Sequence, residues 1–368
     1  MDAPFTLEAQ RQTILKLSWR LLPLIIVSYM MAYIDRTNIS FAALTMNKDL
    51  GFNAYVYGLG AGIFFLGYAL FEVPSNMILD KVGARRWIAR IMFTWGLISG
   101  AMAFIGGTTS FLVLRFLLGV AEAGFFPGII YYLTLWFPAR YRARVISALF
   151  VAIPVSNAAA SIISGAILEM DGIAGLRGWQ WVFILEALPA VLLAFVVWHY
   201  LTDRPREAKW LSTLERDWLE AELATERRAV ESRGHMSLRQ ALTDKRVLVL
   251  SLIYFTSVTS GYGIVFFLPQ IVKALGASNF MTGVLAAIPH AVGVIGLLLW
   301  GFSSDRLNER RRHFIAAACV SALGFAAAAW LRESYWGIAA MSVATIGLYA
   351  SRPAFWPMPS MFLSGAAA

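Results

Sequence analysis

Long apolar windows are the feature that most constrains this chain. Windows of roughly 20 apolar residues, the length needed to cross the core of a bilayer, recur along the 368-residue sequence. Lipid leaves backbone polar groups without partners, so each window predicts a helix. The sequence therefore predicts an all-α integral membrane protein with about ten spans, near residues 20–43, 55–79, 87–106, 110–136, 143–168, 180–201, 247–272, 281–303, 313–331 and 336–360.

Composition excludes the main soluble classes. The chain is 59% hydrophobic and 14% charged, whereas soluble domains hold about 45–50% apolar and about 25% charged residues. The net charge of +9 lies in short clusters between apolar runs, without the interleaved aromatics of a base-stacking groove. The sequence has no nucleophile with its base, no phosphate loop and no metal-ligand cluster. We therefore expect no enzyme, no cofactor and no nucleic-acid partner.

Lysine and arginine predict the orientation. If the N-terminus is cytoplasmic, the inner side receives clusters around residues 11–20, 81–90, 140–144 and 306–312, and the hydrophilic segment 202–246 adds ten more. The outer side receives only Lys48, Arg177, Lys273 and Arg332. Basic residues favour the cytoplasmic side. We predict a multi-pass protein of the inner membrane with its N-terminus inside.

One hydrophilic segment divides the chain. Residues 202–246 mix acids and bases and contain a helical run around Trp210 to Arg228. We interpret the segment as a cytoplasmic linker and, for such mixed charge, as a solvated tether. It separates an N-terminal bundle of six spans, 1–201, from a bundle of four, 247–368.

A repeated loop supports this division. Asn76-x-x-x-Asp80-Lys81-x-Gly83-x-Arg85-Arg86 follows the second span, and Gly301-x-x-x-Asp305-Arg306-x-x-x-Arg310-Arg311 follows the eighth. Both copies stand at the same place in their half, which predicts duplicated bundles around a shared path.

Charges inside the spans mark candidate functional positions. Each costs at least about 2.5–3.5 kcal/mol at a helix centre, so it persists where it is paired or faces water. Arg115 and Glu122 are two helical turns apart and share one helix face. The charges are Asp35 and Arg36 in the first span, Glu72 in the second, Arg115 and Glu122 in the fourth, Glu186 in the sixth and Arg352 in the tenth.

Two readings of these charges stay open. Guanidinium groups suit a carboxylate substrate because they offer paired donors and keep their charge. Buried carboxylates suit proton coupling, since burial favours the neutral acid and a nearby arginine the ion. Alternatively, Asp35, Arg36, Arg115 and Glu122 form static ion pairs.

Other polar and small residues in the spans are interpreted mainly as structural. Glu72 and Glu186 lie near prolines, and a hydrogen bond to a broken helix turn accounts for them. For His290 we expect a local hydrogen bond, and for Gly58, Gly62, Gly124 and Gly128 close helix contacts. Two interpretations stay open for four aromatic side chains, which either line the solute path or pack in the protein interior: Tyr68, Tyr254, Tyr262 and Trp356.

The two loops resemble those of the major facilitator superfamily. Asp35-Arg36-Thr37-Asn38, Phe71 to Asn76, Gly83 to Trp87, Arg115 to Gly128, and Arg352-Pro353 followed by Phe355-Trp356 are similar to segments of its anion:cation symporters, which include tartrate, phthalate and sugar-acid permeases. Asn76 replaces the usual opening glycine of the loop, and Gly83 has no partner in the second copy.

The resemblance implies a fold and a set of roles. We expect a monomer that carries a small organic anion with protons by alternating access. The resemblance implies proton coupling by Asp35 and Glu122, anion binding by Arg36 and Arg115, and substrate contact by Tyr33 and Tyr68, to which we add Trp356. The loop residues Asp80, Lys81, Gly83, Arg85, Arg86, Asp305 and Arg306 are expected to gate.

The family has twelve spans, whereas this chain stops after the tenth, so we expect spans eleven and twelve to be missing. That expectation leaves three alternatives open: an anion sensor derived from a transporter, an inactive fragment, and drug efflux on the same fold. The fifth span lacks the Gly-Pro-Gly-Gly-type motif of drug antiporters, which favours symport.

Overall fold

Every regular element of the described residues is helical. The computed structural model describes residues 5–232, 243–307, 309–331 and 334–356. Its α-helices are α1 Leu7–Asp49, α2 Ala54–Val82, α3 Ala84–Ala101, α4 Thr108–Glu122, α5 Phe125–Trp136, α6 Ala139–Ile167, α7 Gly178–Tyr200, α8 Thr213–Ser232, α9 Lys245–Lys273, α10 Asn279–Leu307, α11 Arg310–Trp330 and α12 Trp336–Phe355.

The predicted spans form as helices. Within the described ranges, nine helical segments are long and apolar enough to cross a membrane, counting α4 and α5 as one. The tenth window forms α12, which is not among those nine segments and carries Arg352 in its last turn. Residues 357–360 of that window and the C-terminal segment lie outside the described residues. The prediction of a multi-pass helical membrane protein is confirmed.

The fourth span is broken in its middle, which the sequence did not predict. Helix α4 ends at Glu122, and α5 begins at Phe125. Between them Gly124 has φ +84°, a left-handed conformation that favours glycine. A Cβ atom at Gly124 would also lie 2.4 Å from Ser75 Oγ of α2. The break therefore depends on glycine, and it places Glu122 at a helix end.

Glycines bring α2 and α4 together, but at other positions than expected. A Cβ atom on Gly119 would lie 2.0 Å from the carbonyl oxygen of Phe64, and one on Gly67 would lie 2.5 Å from that of Phe116. Small residues allow this approach of two backbones. A Cβ atom on Gly58 or Gly62 would meet no atom within 4 Å, so the expectation for them was wrong. Gly124 and Gly128 do make close contacts.

The chain packs into two compact units. The first unit comprises Met1–Asp35, Met46–Leu149 and Gln180–Ala229, and the second comprises Arg36–Thr45, Phe150–Trp179 and Val230–Ala368. These boundaries follow spatial packing, whereas the predicted bundles, 1–201 and 247–368, follow the sequence. The predicted bundle boundaries stay a prediction.

Helix α8 of the hydrophilic segment is docked on the first unit. Its start is a capping box, in which Ser212 Oγ accepts from the Glu215 amide at 3.3 Å and Glu215 Oε2 accepts from the Ser212 amide at 2.7 Å. Glu215 also accepts from Lys16 Nζ at 2.8 Å, and Glu226 pairs with Arg142 at 2.8 Å. The interpretation as a solvated tether was therefore wrong for α8.

Candidate functional site

Both predicted proton-coupling acids are buried in the first unit. Asp35 of α1 is 1% exposed, and its Oδ1 accepts a hydrogen bond from Ser99 Oγ of α3. Glu122, the last residue of α4, is 0% exposed. The sequence-predicted acids thus occupy positions where a change of protonation alters the charge inside a packed bundle.

Arg115 is built into the contact between α2 and α4. It is 2% exposed, its Nε donates to the carbonyl oxygen of Gly60 at 3.0 Å, and its Cζ lies 4.9 Å from the Phe64 ring centroid. Gly119 lies one turn after Arg115 on α4 and brings the α2 backbone close. Arg115 is thus the more enclosed of the two predicted anion-binding arginines.

Arg36 lies in the second unit and is partly exposed. Its Nη1 donates to the hydroxyl of Tyr262 of α9 at 2.9 Å. Tyr262 is itself partly exposed, and its ring stacks on Phe266 with centroids 5.6 Å apart. The tyrosine thus orients a guanidinium, a group that carries five N–H donors in a planar fork.

The aromatic residues predicted to contact the substrate are divided between the two units. In the first unit, Tyr33 accepts a long hydrogen bond of 3.4 Å from Tyr29, and Tyr68 lies 6.0 Å from the Phe64 ring. Both tyrosines are partly exposed.

In the second unit, Trp356 is 39% exposed. It stacks on Phe150 at 5.6 Å and meets Tyr254 edge-on at 5.4 Å. Trp356 therefore belongs to an aromatic cluster at the end of α12.

The first loop copy is tied to the start of the hydrophilic segment. Asp203 Oδ1 accepts from the Arg85 amide at 2.8 Å, at the N-terminus of α3, and Asp203 Oδ2 lies 3.8 Å from Arg85 Nε. Gly83 has φ +98°, and a Cβ there would lie 3.1 Å from both Asp203 oxygens. Asp80 accepts from Tyr131 at 2.6 Å, whereas Lys81 and Arg86 are exposed.

The second loop copy makes its polar contacts between its own residues. Asp305 pairs with Arg310 at 2.5 Å, and Arg310 also donates to Ser304 Oγ at 3.0 Å. Arg306 is exposed. The repeated sequence therefore folds into two different sets of contacts.

A buried polar chain in the second unit escaped prediction from the sequence. Thr37 Oγ1 donates to Asn157 Oδ1 at 3.0 Å, Asn157 Nδ2 donates to Tyr349 Oη at 3.1 Å, and Tyr349 Oη bonds His290 Nδ1 at 2.9 Å. All four residues are at most 2% exposed. His290 thus bonds another helix instead of its own. Asn157 within an apolar window was the available signal.

The chain belongs to the Major Facilitator Superfamily. The family model matches residues 25–367. A protein of Agrobacterium vitis named "Putative tartrate transporter" is 49% identical over 367 residues, which are 100% of this chain and 82% of that protein. A quinolone resistance transporter of Acinetobacter baumannii is 44% identical over 98% of this chain and 84% of that protein. The predicted family is confirmed, and the relatives are transporters.

A solved structure supports the fold independently. A bacterial homolog to the human lysosomal transporter Spinster matches with a TM-score of 0.73 at 20% identity, over 94% of this chain and 74% of that chain. At this identity the likeness concerns the fold. The chain is therefore a multi-pass transporter of the major facilitator fold, related to proteins named for small organic solutes.

Proposed function

We propose that this protein takes up a small organic anion, a carboxylate, by proton-coupled symport and alternating access across the cell membrane, with its N-terminus in the cytoplasm. The observation that carries the proposal is that the protein contains two kinds of ionic group within its spans. Two acids, Asp35 and Glu122, are fully buried, and one arginine, Arg36, is partly exposed. The relative named for tartrate supports a carboxylate substrate.

Each kind of group has a separate task in this proposal. Arg36 binds the carboxylate of the solute, because its guanidinium keeps its charge and offers paired donors. Asp35 and Glu122 take up protons, since a buried carboxylate is stabilised when it becomes neutral. The protonated, loaded protein then changes between outward-open and inward-open states.

Uptake into proteoliposomes tests the proposal. Labelled tartrate should accumulate when an inward proton gradient is imposed and should stop accumulating when a protonophore removes the gradient. Glu122→Gln and Asp35→Asn should abolish the gradient-driven accumulation, because an amide takes up no proton. Glu220→Gln, an exposed position on α8, is the matched control. Gradient-driven uptake that survives in both carboxylate variants would exclude these roles.

Drug export is the second candidate, and the relative named for quinolone resistance favours it. Cells that produce the protein would then tolerate a quinolone and accumulate less of it. Resistance without tartrate uptake would support export over the symport proposed above.

A further inference from the structure

Arg352 is a charged residue in the last turn of α12 that the proposed function leaves without a task. Its guanidinium carbon lies 5.5 Å from the ring centroid of Tyr349, within the range of a cation–π contact. Tyr349 precedes Arg352 by one helical turn, so the side chain is turned back along the helix. An arginine that snorkels would instead extend past the helix end toward the headgroups.

Tyr349 is held in place by hydrogen bonds that involve three other helices. Its hydroxyl bonds Asn157 of α6 and His290 of α10, and Asn157 in turn bonds Thr37 of α1. A buried network in which the groups satisfy one another fixes the positions of its members. Tyr349 is therefore a rigid support for the guanidinium of Arg352.

Arg352 and Arg36 approach neighbouring residues of α9. Arg352 Nη2 lies 3.7 Å from the position of a Cβ atom on Gly261, and Arg36 Nη1 donates to the hydroxyl of Tyr262 at 2.9 Å. Gly261 and Tyr262 lie near the middle of this 29-residue helix. Both arginines are partly exposed, and all of these residues belong to the second unit.

Two permanent positive charges brought to one turn of a membrane helix favour a ligand with two negative charges. A dicarboxylate places one carboxylate on each guanidinium, with paired donors for each. A monocarboxylate pairs with one guanidinium and leaves the other without a carboxylate to bind. We propose that Arg352 and Arg36 form a two-point site for a dicarboxylate, with Tyr349 as the positioning residue of Arg352. This inference rests on the proposed function and deepens it.

The test compares two solutes that differ at one end. Tartrate carries two carboxylates, and threonate has the same carbon chain with one carboxylate replaced by CH2OH. The wild-type protein should transport tartrate with the lower KM. Arg352→Gln should raise the KM for tartrate about tenfold, the loss expected for one charge-assisted pair, and leave that for threonate within about twofold. Arg177→Gln, an exposed arginine outside the spans, is the matched control.

Two further variants keep the test decisive. Arg352→Lys keeps the charge without the planar fork, so it should also raise the KM for tartrate selectively, and it serves if Arg352→Gln does not accumulate in the membrane. Tyr349→Phe keeps the ring but removes the hydroxyl bonds, and should raise the KM for tartrate by about threefold through a displaced Arg352. A merely structural role would change both solutes alike.

The outcomes separate the inference from the proposed function. Absence of gradient-driven uptake of both solutes by the wild-type protein would refute the proposed function. Uptake of both with equal KM, or an equal rise of both in Arg352→Gln and Arg352→Lys, would refute the two-point site and leave anion symport standing.

Discussion

Three ionic groups within the spans of the first unit are enclosed, whereas two in the second unit are partly exposed. Asp35, Arg115 and Glu122 are each at most 2% exposed and are held by a serine, a backbone carbonyl or close helix packing. Arg36 and Arg352 are partly exposed and lie against tyrosines. A solute needs open space beside the group that binds it, whereas a proton can pass along hydrogen bonds to an enclosed group, so the difference matches the division of tasks proposed above.

The largest expected effect comes from a substitution that forces α2 and α4 of the first unit apart. Gly119→Ala places a methyl group 2.0 Å from the Phe64 carbonyl oxygen, so α2 and α4 must separate. We expect a loss of about 3 kcal/mol in the free energy of unfolding, the upper end for overpacking. Thermal unfolding in detergent measures it.

Gly62→Ala is the control for this substitution, because Gly62 of α2 has no neighbour within 4 Å of its Cβ position. It should leave stability unchanged or raise it slightly. Equal unfolding midpoints for the two variants would contradict the enclosure by α2 and α4.

The two arginines predicted from the sequence should differ in what they lose. Arg115→Gln removes a buried charged donor from the Gly60 carbonyl and should lower the free energy of unfolding by about 2 kcal/mol. Arg36→Gln should leave the unfolding midpoint almost unchanged and raise the KM for tartrate about tenfold. Unfolding and uptake are measured on the same preparations. A stability loss in Arg36→Gln as large as that in Arg115→Gln would break the comparison.

The two loop copies offer a smaller contrast. Asp203→Ala removes the acceptor of the Arg85 amide at the start of α3 and should cost about 1 kcal/mol, as for other lost helix caps. Asp305→Ala removes an exposed pair with Arg310 and should cost about 0.5 kcal/mol or less. Chemical unfolding of both variants checks the order, and a larger loss for Asp305→Ala would reverse it.

The smallest effect concerns the docking of α8 and depends on pH. Partial burial alone would raise the pKa of Glu215, but hydrogen bonds from Lys16 and Ser212 outweigh burial and lower the pKa below its usual 4.5. A lowered pKa means that the stabilisation is complete above the unfolded value and is lost as the pH falls through the folded value.

Glu215→Gln keeps the capping box and removes the ion pair. At pH 7, the free energy of unfolding of the wild-type protein should exceed that of this variant by about 0.5 kcal/mol, a small difference because the pair is partly exposed. The difference should disappear as the pH falls below 4.5 and through the lowered pKa of Glu215 in the folded protein. Unfolding midpoints of the two proteins across this range measure it, and a difference that grows on acidification would have the wrong sign.

Periodicity and hydropathy predicted the helices, because a membrane span is encoded by about 20 consecutive residues. They also located the buried acids Asp35 and Glu122, since a charge within an apolar window stands out. The break at Gly124 was not predictable in this way, because neither its left-handed backbone nor the Ser75 side chain of α2 beside it is visible in hydropathy.

Contacts over long sequence distances account for the other errors. The docking of α8 was missed although Glu215, Glu222 and Glu226 recur at helical spacing, and Leu219 and Leu223 are buried. That pattern of acids beside leucines was the available signal. In α2, the close contacts occur at Gly60 and Gly67 and not at the predicted Gly58 and Gly62, because the facing atoms belong to α4.

The ion pairs of α8 give several basic residues two successive uses. Lys16, Arg140 and Arg142 pair with Glu215, Glu222 and Glu226 in the folded protein. Because synthesis runs from the N-terminus, these three cations leave the ribosome before α8 does, so they are uncompensated while the first spans are being inserted. In the proposed orientation they hold the growing chain on the cytosolic side at that stage. The acids that arrive later neutralise them, when a topogenic signal is no longer needed.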